Sequence, residues 1–254
     1  MLRAKGSNSL TSRRSFVAMA IQLAMAGVSA SIPAIGQEKP VKTGSPNPHH
    51  SPHRTARLPK RLAADFHSHI QTRLPHLRPA FEAAAQDTGI DWRVLAALGY
   101  QESRWRPAAV SPKGAQGVMM LMPITAKKMG VKNVFAPDEN IMGGARYLAY
   151  MRQRIPARIH DPDRTWLAMA AYNIGIGHLE DARIVTQMRK KNPDRWADVR
   201  ANLPHLQDPH WHKRVKHGYA RGEETAQFVE RVSQFSSLLQ VAIPDTAIVD
   251  AGPR

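Results

Sequence analysis

The sequence contains no cysteine, and it is poor in acidic side chains relative to basic ones. The absence of cysteine excludes disulfides, thiolate nucleophiles and cysteine-ligated zinc, and it leaves the redox compartment undetermined. It also excludes a lipid-acylated cysteine anchor. Only 20 Asp and Glu oppose 36 Lys and Arg, which gives a formal charge of +16. This charge predicts attraction to polyanions, whether nucleic acid, anionic lipid or an anionic polymer.

The apolar run Phe16–Ala30 is shorter than the ~20 residues that span a bilayer, and Gln22 interrupts it. Basic residues precede this run and small residues follow it, so we predict that residues 1–36 are a removable export signal. The segment TSRRSF resembles a twin-arginine signal, but adjacent arginines also suit the positive flank of any signal peptide. Both interpretations stay open, and an uncleaved membrane anchor is the weaker alternative.

Residues 37–61 lack hydrophobic periodicity and are rich in proline, histidine and basic side chains. Four of the sixteen net positive charges lie in residues 1–36 and five in residues 37–61, which leaves a moderately basic remainder. We interpret residues 37–61 as a solvated linker. Its three histidines, His49, His50 and His53, lack supporting acids, so we expect no metal site there.

The remaining sequence lacks runs of alternating β-branched residues bounded by hairpin turns, and its apolar residues recur at helical spacing instead. One stripe comprises Ile141, Ala145 and Leu148. A second stripe comprises Phe228, Val232, Phe235 and Leu239. We therefore predict a single all-α domain over residues 62–242, followed by a disordered tail over residues 243–254.

One predicted helix carries an acid on its apolar side. Asp91 is suited to cap its first turn, with Ile90 and Leu95 placed for a hydrophobic staple. Leu95, Leu98 and Glu102 then share one face, so the carboxyl of Glu102 projects with the core-facing leucines. Burial raises a carboxyl pKa and suits it to donate a proton. The alternative is a structural glutamate satisfied by a buried arginine or by backbone amides.

Two further segments are candidates for a binding cleft. The connection from Ser111 to Pro123 contains two glycines and three methionines, Met119, Met120 and Met122, which suit either a cleft wall or core filling. The apolar run WLAMAAYNIGIG places Tyr172 and Asn173 just before Gly175. That pair can hydrogen-bond a polar ligand or simply cap the helix.

Together these segments resemble the family-1 lytic transglycosylases, whose catalytic domain is related to goose-type lysozyme. The resemblance rests on Glu102-Ser103, on the G-x-x-G-x-M-x-L-M-P stretch from Gly114 to Pro123, and on the AYN triplet ending at Asn173. It covers about residues 65 to 240 and is greatest to the membrane-bound F-type enzymes. Met120 stands where many relatives have glutamine, a feature that the F-type enzymes share. The F-type enzymes usually carry an additional amino-terminal solute-binding-like domain, which we do not expect in this chain.

The resemblance implies a lysozyme-like fold and cleavage of peptidoglycan glycan strands, with Glu102 as acid and then base. The products would carry 1,6-anhydro-N-acetylmuramic acid ends. The substrate-binding residues that it implies, together with the methionines above, are Ser103, Ser111, Met119, Met120, Met122, Tyr172, Asn173 and Tyr219. For Tyr219, which would close the cleft, the alternative is packing under the last helix.

Two other functions stay open at this stage, a hydrolytic lysozyme-like muramidase and a non-catalytic peptidoglycan-binding module. We expect no nucleic-acid binding, because the surplus charge lies largely outside the predicted domain and no recognition motif is present. No cofactor and no metal are expected. The predicted partners are peptidoglycan strands and, through the basic linker, an anionic membrane surface, in a protein exported to the periplasm and peripheral to the outer membrane.

Overall fold

The computed structural model describes residues 58–244, which fold as helices joined by short connections. Its elements are α1 Lys60–Thr72, α2 Leu74–Thr88, α3 Trp92–Ser103, α4 Pro123–Lys128, α5 Pro137–Arg154, α6 Asp163–Ile174, α7 Ile176–Met188, α8 Trp196–Asn202, a 3₁₀ helix Leu203–Gln207, α9 Pro209–His212 and α10 Gly222–Ala242. The described part of the chain contains isolated β-bridges but no β-strand. The prediction of an all-α domain is confirmed.

Both predicted apolar stripes face the core. Ile141, Ala145 and Leu148 of α5 are buried where this helix packs between α2 and α6. Every member of the second stripe is buried in α10, which packs against α3 and α6. The helical period therefore identified the packing faces of the two longest helices.

An aromatic cluster joins α1, α3 and α10. The ring of Tyr100 on α3 lies 4.5 Å from that of Phe66 on α1 and 4.8 Å from that of Phe235 on α10, between ring centroids. Trp105, just after α3, adds a fourth ring at 4.7 Å from Tyr100. Edge-on and tilted packing of this kind is favourable for aromatic pairs. The cluster fixes the relative positions of the three helices that surround the site described below.

The described residues begin near the end of the predicted linker. Helix α1 starts at Lys60, two residues before the predicted start of the domain, and α10 ends at Ala242. The predicted export signal and most of the linker lie outside the described residues, as does nearly all of the predicted tail. Within residues 58–244, no helix is both long and apolar enough to cross a membrane.

Candidate active site

Helix α3 begins as the sequence predicted. The Asp91 side chain accepts a hydrogen bond from the backbone N–H of Arg93 at 2.6 Å, and α3 starts at the next residue after Asp91. Ile90 and Leu95 are both buried in the core, as a hydrophobic staple requires. The helix ends at Arg104, which adopts the left-handed conformation with φ of 54°. Glu102 therefore lies in the last turn of a well-anchored helix.

The Glu102 carboxyl has no partner among the described residues. Its side chain is partly exposed at the wall of an open groove, and no hydrogen bond or ion pair joins its carboxyl to any residue from 58 to 244. Burial by the surrounding protein raises the pKa of Glu102 to about 8. The carboxyl is therefore protonated at neutral pH, which is the state that a general acid requires.

The groove beside Glu102 has a volume of about 750 Å³. Three parts of the chain form it: the first turns of α1, the end of α3 with the following loop, and the middle of α10. Its lining residues are Pro59, Arg61, Leu62, Asp65, Tyr100, Gln101, Glu102, Ser103, Arg104, Arg106, Val110, Ser111, Pro112, Met120, Arg231 and Phe235. Of the predicted site residues, the groove thus brings together Glu102, Ser103, Ser111 and Met120.

A tight loop forms one wall of the groove. Gln116 and Leu121 exchange two backbone hydrogen bonds of 2.9 Å, and the chain turns between them. Met120 lies in this turn with a positive φ of 48°, which is uncommon for a residue with a side chain. The Ser111 hydroxyl accepts from the backbone N–H of Ala115 at 2.9 Å, so its proton is directed elsewhere. This backbone geometry carries Ser111 and Met120 to the groove surface.

Two buried side chains support this loop from below. The Asn140 side chain accepts from the N–H of Met119 at 2.7 Å and donates to the carbonyl of Gln116 at 3.1 Å. The Tyr172 hydroxyl donates to the carbonyl of Met119 at 2.7 Å. Asn140 was not predicted as part of the site. The only signal for it was a polar residue beside the apolar stripe of α5, followed by Gly143 and Gly144.

Met119 differs from the prediction that it binds substrate. Its side chain is fully buried and packs over α5, where a Cβ added at Gly144 would lie 2.5 Å from the Met119 Cβ. It therefore fills the core and cannot contact a ligand in the groove. Met122 is partly exposed at the start of α4 and is not among the groove-lining residues, so only Met120 of the three lines the groove.

Tyr172 and Asn173 lie at the end of α6, which terminates at Gly175 as expected. Both are buried and outside the groove lining. Burial, with a contribution from the nearby Glu102 charge, raises the pKa of Tyr172 well above its ordinary value. The Asn173 carbonyl oxygen accepts from the Thr225 hydroxyl on α10 at 2.8 Å. In this structure the pair holds the loop and α10 in place next to Glu102.

Ser103 has a similar supporting position. Its hydroxyl donates to the carbonyl of Gly99 at 3.2 Å and accepts from the N–H of Arg106 at 3.1 Å. Both bonds stabilise the turn after α3. The side chain reaches the groove wall, but its hydrogen-bonding capacity is largely used within the protein.

Tyr219 is 56% exposed, which excludes the alternative of packing under α10. Its segment is held by Asp181 of α7, a buried carboxylate that accepts from three successive backbone N–H groups. These donors belong to Lys216, His217 and Gly218, at 3.2, 2.7 and 3.0 Å. Tyr219 is not among the residues that line the groove in the described structure.

Comparison with known proteins shows what this arrangement is similar to. Residues 79–194 match the family model of the transglycosylase SLT domain. The match includes Glu102, the loop with Met120, and Tyr172, which the sequence patterns had singled out. The predicted resemblance to SLT-type lytic transglycosylases is confirmed.

Three relatives of this chain are named membrane-bound lytic murein transglycosylase F. The chain is 51% identical over 174 residues to that of Saccharophagus degradans, covering 68% of this chain and 35% of the relative. For the relative from Thiobacillus denitrificans the identity is 53% over 167 residues, covering 66% of this chain and 36% of the relative. For the relative from Hahella chejuensis it is 48% over 177 residues, covering 70% of this chain and 35% of the relative. The chain thus spans about a third of the length of these relatives.

Among solved structures, the chain resembles an inactive glutamate-to-glutamine variant of the lytic transglycosylase Slt from Pseudomonas aeruginosa. The TM-score is 0.51 at 23% sequence identity, covering 72% of this chain and 29% of that chain. At this identity the likeness concerns the fold alone. It confirms the predicted lysozyme-like class.

Proposed function

We propose that this protein is a peptidoglycan lytic transglycosylase that cleaves the bond between N-acetylmuramic acid and N-acetylglucosamine without consuming water. The observation that carries the proposal is the Glu102 carboxyl, protonated and without a partner among the described residues, at the wall of an open groove within an SLT domain. Relatives at about 50% identity are named as enzymes of this kind.

Glu102 acts twice in the proposed reaction. Its carboxyl donates a proton to the glycosidic oxygen while the bond from that oxygen to the muramoyl C1 breaks. The resulting carboxylate then accepts the proton of the muramoyl C6 hydroxyl as O6 bonds to C1. The proton inventory balances, Glu102 returns to its starting state, and the product ends in a 1,6-anhydro ring.

A single carboxyl suffices for this sequence, and the groove fits that requirement. The second acid in the groove, Asp65, lies 3.3 Å from the Arg104 guanidinium as an ion pair. Glycosidases that use paired carboxyls need the second group available as a nucleophile or base. Because Asp65 is engaged by Arg104, Glu102 is the better supported sole acid and base.

The remaining predicted residues fall into two roles in this proposal. Ser111 and Met120 contact the sugars, since both reach the groove and the Ser111 proton is directed away from Ala115. Tyr172 and Asn173 act as positioning residues, because their hydrogen bonds hold the Met119 carbonyl and α10. Tyr219 is exposed on the segment that Asp181 holds. In this proposal it contacts the glycan strand only after the strand has bound in the groove.

The test is a digestion of purified peptidoglycan by the full chain and by its Glu102→Gln variant, with Glu82→Gln as a control on the α2 surface. Released products are weighed by mass spectrometry. We expect products about 18 Da lighter than their hydrolytic counterparts from the wild type and from the control, since no water is added. The Glu102→Gln variant should release none.

The same measurement separates the competing functions. Products with reducing ends would contradict the proposal and indicate a hydrolytic muramidase on this fold. Binding of peptidoglycan without products from any of the three proteins would indicate a non-catalytic module.

We further propose that the chain is exported to the periplasm and contacts anionic membrane surfaces, peripheral to the outer membrane. Support comes from the signal-like residues 1–36 and the basic residues 37–61, both largely outside the described residues. Flotation with anionic vesicles tests the contact. Vesicle binding that is unchanged after deletion of residues 37–57 would contradict it, and a loss of binding at raised salt would support it.

A further inference from the structure

The groove extends beyond Glu102 into a region that is much more positive than a sugar site requires. We propose that the part of the groove between α1 and α10 is an anion subsite, which binds carboxylates of the peptide substituent carried by the glycan next to the cleaved bond. This inference rests on the proposed function, whose substrate supplies such a peptide. It names a specificity determinant that lies outside the predicted site residues.

The charge of the groove supports this assignment. Its lining includes four arginines, Arg61, Arg104, Arg106 and Arg231, against one acid besides Glu102, namely Asp65. Glucosamine and muramoyl rings present hydroxyl and acetamido groups, which are neutral and need no guanidinium. An excess of guanidinium groups beside a reacting centre instead favours an anionic part of the substrate.

Two of these arginines are available to a ligand. Arg104 is paired with Asp65, and the Arg106 Nε donates to the carbonyl of Ser103 at 3.0 Å. Arg61 and Arg231 are exposed, and within residues 58–244 neither guanidinium takes part in a hydrogen bond or an ion pair. An arginine without an internal partner can present its full fork to a carboxylate, which is the geometry that gives bidentate pairing.

The two arginines come from helices that are fixed in position. Arg61 lies four residues before Asp65 on α1, and Arg231 lies four residues before Phe235 on α10, so each shares a helix face with another groove residue. The aromatic cluster of Phe66, Tyr100 and Phe235 holds these helices together. The anion subsite is therefore built on packed elements rather than on a loop.

The floor of the subsite suits a short peptide. Leu62 contributes partly exposed apolar surface between the charged residues, whereas Tyr100 and Phe235, which also line the groove, are almost fully buried. Apolar side chains and backbone of a peptide can lie on this surface while its carboxylates meet the arginines. The groove also joins this region to Glu102 without interruption, so a substituent on the reacting sugar can enter it while the glycosidic bond lies at the carboxyl.

The test uses two matched oligosaccharides that carry the same peptide, one with free carboxylates and one with every peptide carboxylate amidated. The proteins are the full chain, the Arg61→Gln/Arg231→Gln double variant, and Arg195→Gln as a control outside the groove. We expect the wild type and the control to favour the free-carboxylate substrate by about tenfold in kcat/KM. This ratio is the effect expected when two exposed arginine–carboxylate pairs form with the substrate. The double variant should lose this preference, so that its kcat/KM values for the two substrates become equal.

Binding measurements keep the inference separate from the proposed catalysis. Fluorescence anisotropy in the Glu102→Gln background compares the affinities of the same two oligosaccharides with and without the arginine substitutions. Equal affinity for the free and amidated forms would overturn the anion subsite even if the enzyme is a transglycosylase. A preference for free carboxylates that depends on Arg61 and Arg231 would support it even if no product is formed. Stronger binding of a phosphate-bearing glycan polymer than of the free-carboxylate peptide would also overturn the assignment.

Discussion

Two carboxylates lie on helices of the same domain and illustrate opposite uses of an acid. Asp181 of α7 is buried and accepts three backbone N–H groups from residues 216–218. Glu102 of α3 has no hydrogen-bond donor among residues 58–244, and protein atoms around it raise its pKa to about 8. The lone pairs of Asp181 accept hydrogen bonds from the backbone, whereas the Glu102 carboxyl accepts none from the described residues.

The difference shows how the structural and the chemical interpretations of an inward acid can be separated. An acid that is satisfied by backbone amides stabilises a particular loop conformation, because losing it would leave buried donors without partners. A buried acid without hydrogen-bond donors destabilises the fold when it ionises. Such acids are found in proteins mainly at sites where a proton must be transferred. The region around Asp181 thus maintains shape, and the region around Glu102 has the properties that the proposed reaction requires.

The sharpest test of this comparison is Glu102→Gln. We expect the rate of product release to fall by about a thousandfold, since an amide cannot transfer a proton at this position. The folded structure should be retained, as judged by circular dichroism and thermal unfolding. The control Glu82→Gln should keep the wild-type rate. A Glu102→Gln variant with substantial activity would show that another group is the acid.

The counterpart is Asp181→Ala, which should lower the free energy of unfolding by about 3 kcal/mol, because three backbone donors would lose their acceptor. Chemical denaturation measures this loss. Asp208→Asn is the matched control, since Asp208 is exposed and accepts only one backbone N–H at the start of α9. Asparagine also caps helices well, so this change should cost only a few tenths of a kcal/mol. Equal losses for the two variants would contradict the supporting role of Asp181.

The pH dependence of activity tests the environment of Glu102. With a pKa of about 8, the carboxyl is protonated through neutral pH and ionises above it. The initial rate should therefore fall about tenfold for each pH unit above 8. Rates are measured across a pH range that includes both 4.5 and 8, under conditions where the fold is stable. A rate that falls with a midpoint near 4.5, the ordinary glutamate value, would contradict burial as the controlling factor.

The same pKa shift also predicts an effect on stability. Because the Glu102 pKa is higher in the folded protein than in the unfolded chain, its stabilising contribution is complete below pH 4.5 and is lost as pH rises to about 8. Glu102→Gln does not titrate, so its melting temperature should exceed that of the wild type by a margin that grows over this range. We expect a margin on the order of ten degrees at pH 8, since a pKa shift from 4.5 to about 8 corresponds to several kcal/mol. A difference in melting temperature that does not change with pH would contradict the raised pKa of Glu102.

Much of the fold could be predicted from local patterns. The cap at Asp91, the end of α6 at Gly175 and the buried stripes of α5 and α10 follow from helix-terminal chemistry and from the 3.6-residue period. These signals are local, since each depends on neighbours within a few turns. They therefore survive without knowledge of any tertiary contact.

The site was predictable only in part. Glu102 was identified because its helix face was already defined by Leu95 and Leu98. The methionines could not be ranked, since the same flexible side chain serves a cleft or a core. The positive φ at Met120 and the contact of Met119 with Gly144 decide between those uses, and both arise from the folded loop.

By itself, then, the sequence determined the helical class, the helix that carries Glu102 and the resemblance to an SLT domain, because periodicity and motif spacing are properties of the chain. Only the tertiary structure decided that Asn140 supports the loop and that Tyr172 and Asn173 form hydrogen bonds with internal partners. It also decided that Arg61 and Arg231 line the same groove. Those facts depend on residues far apart in the chain, and packing alone brings them together.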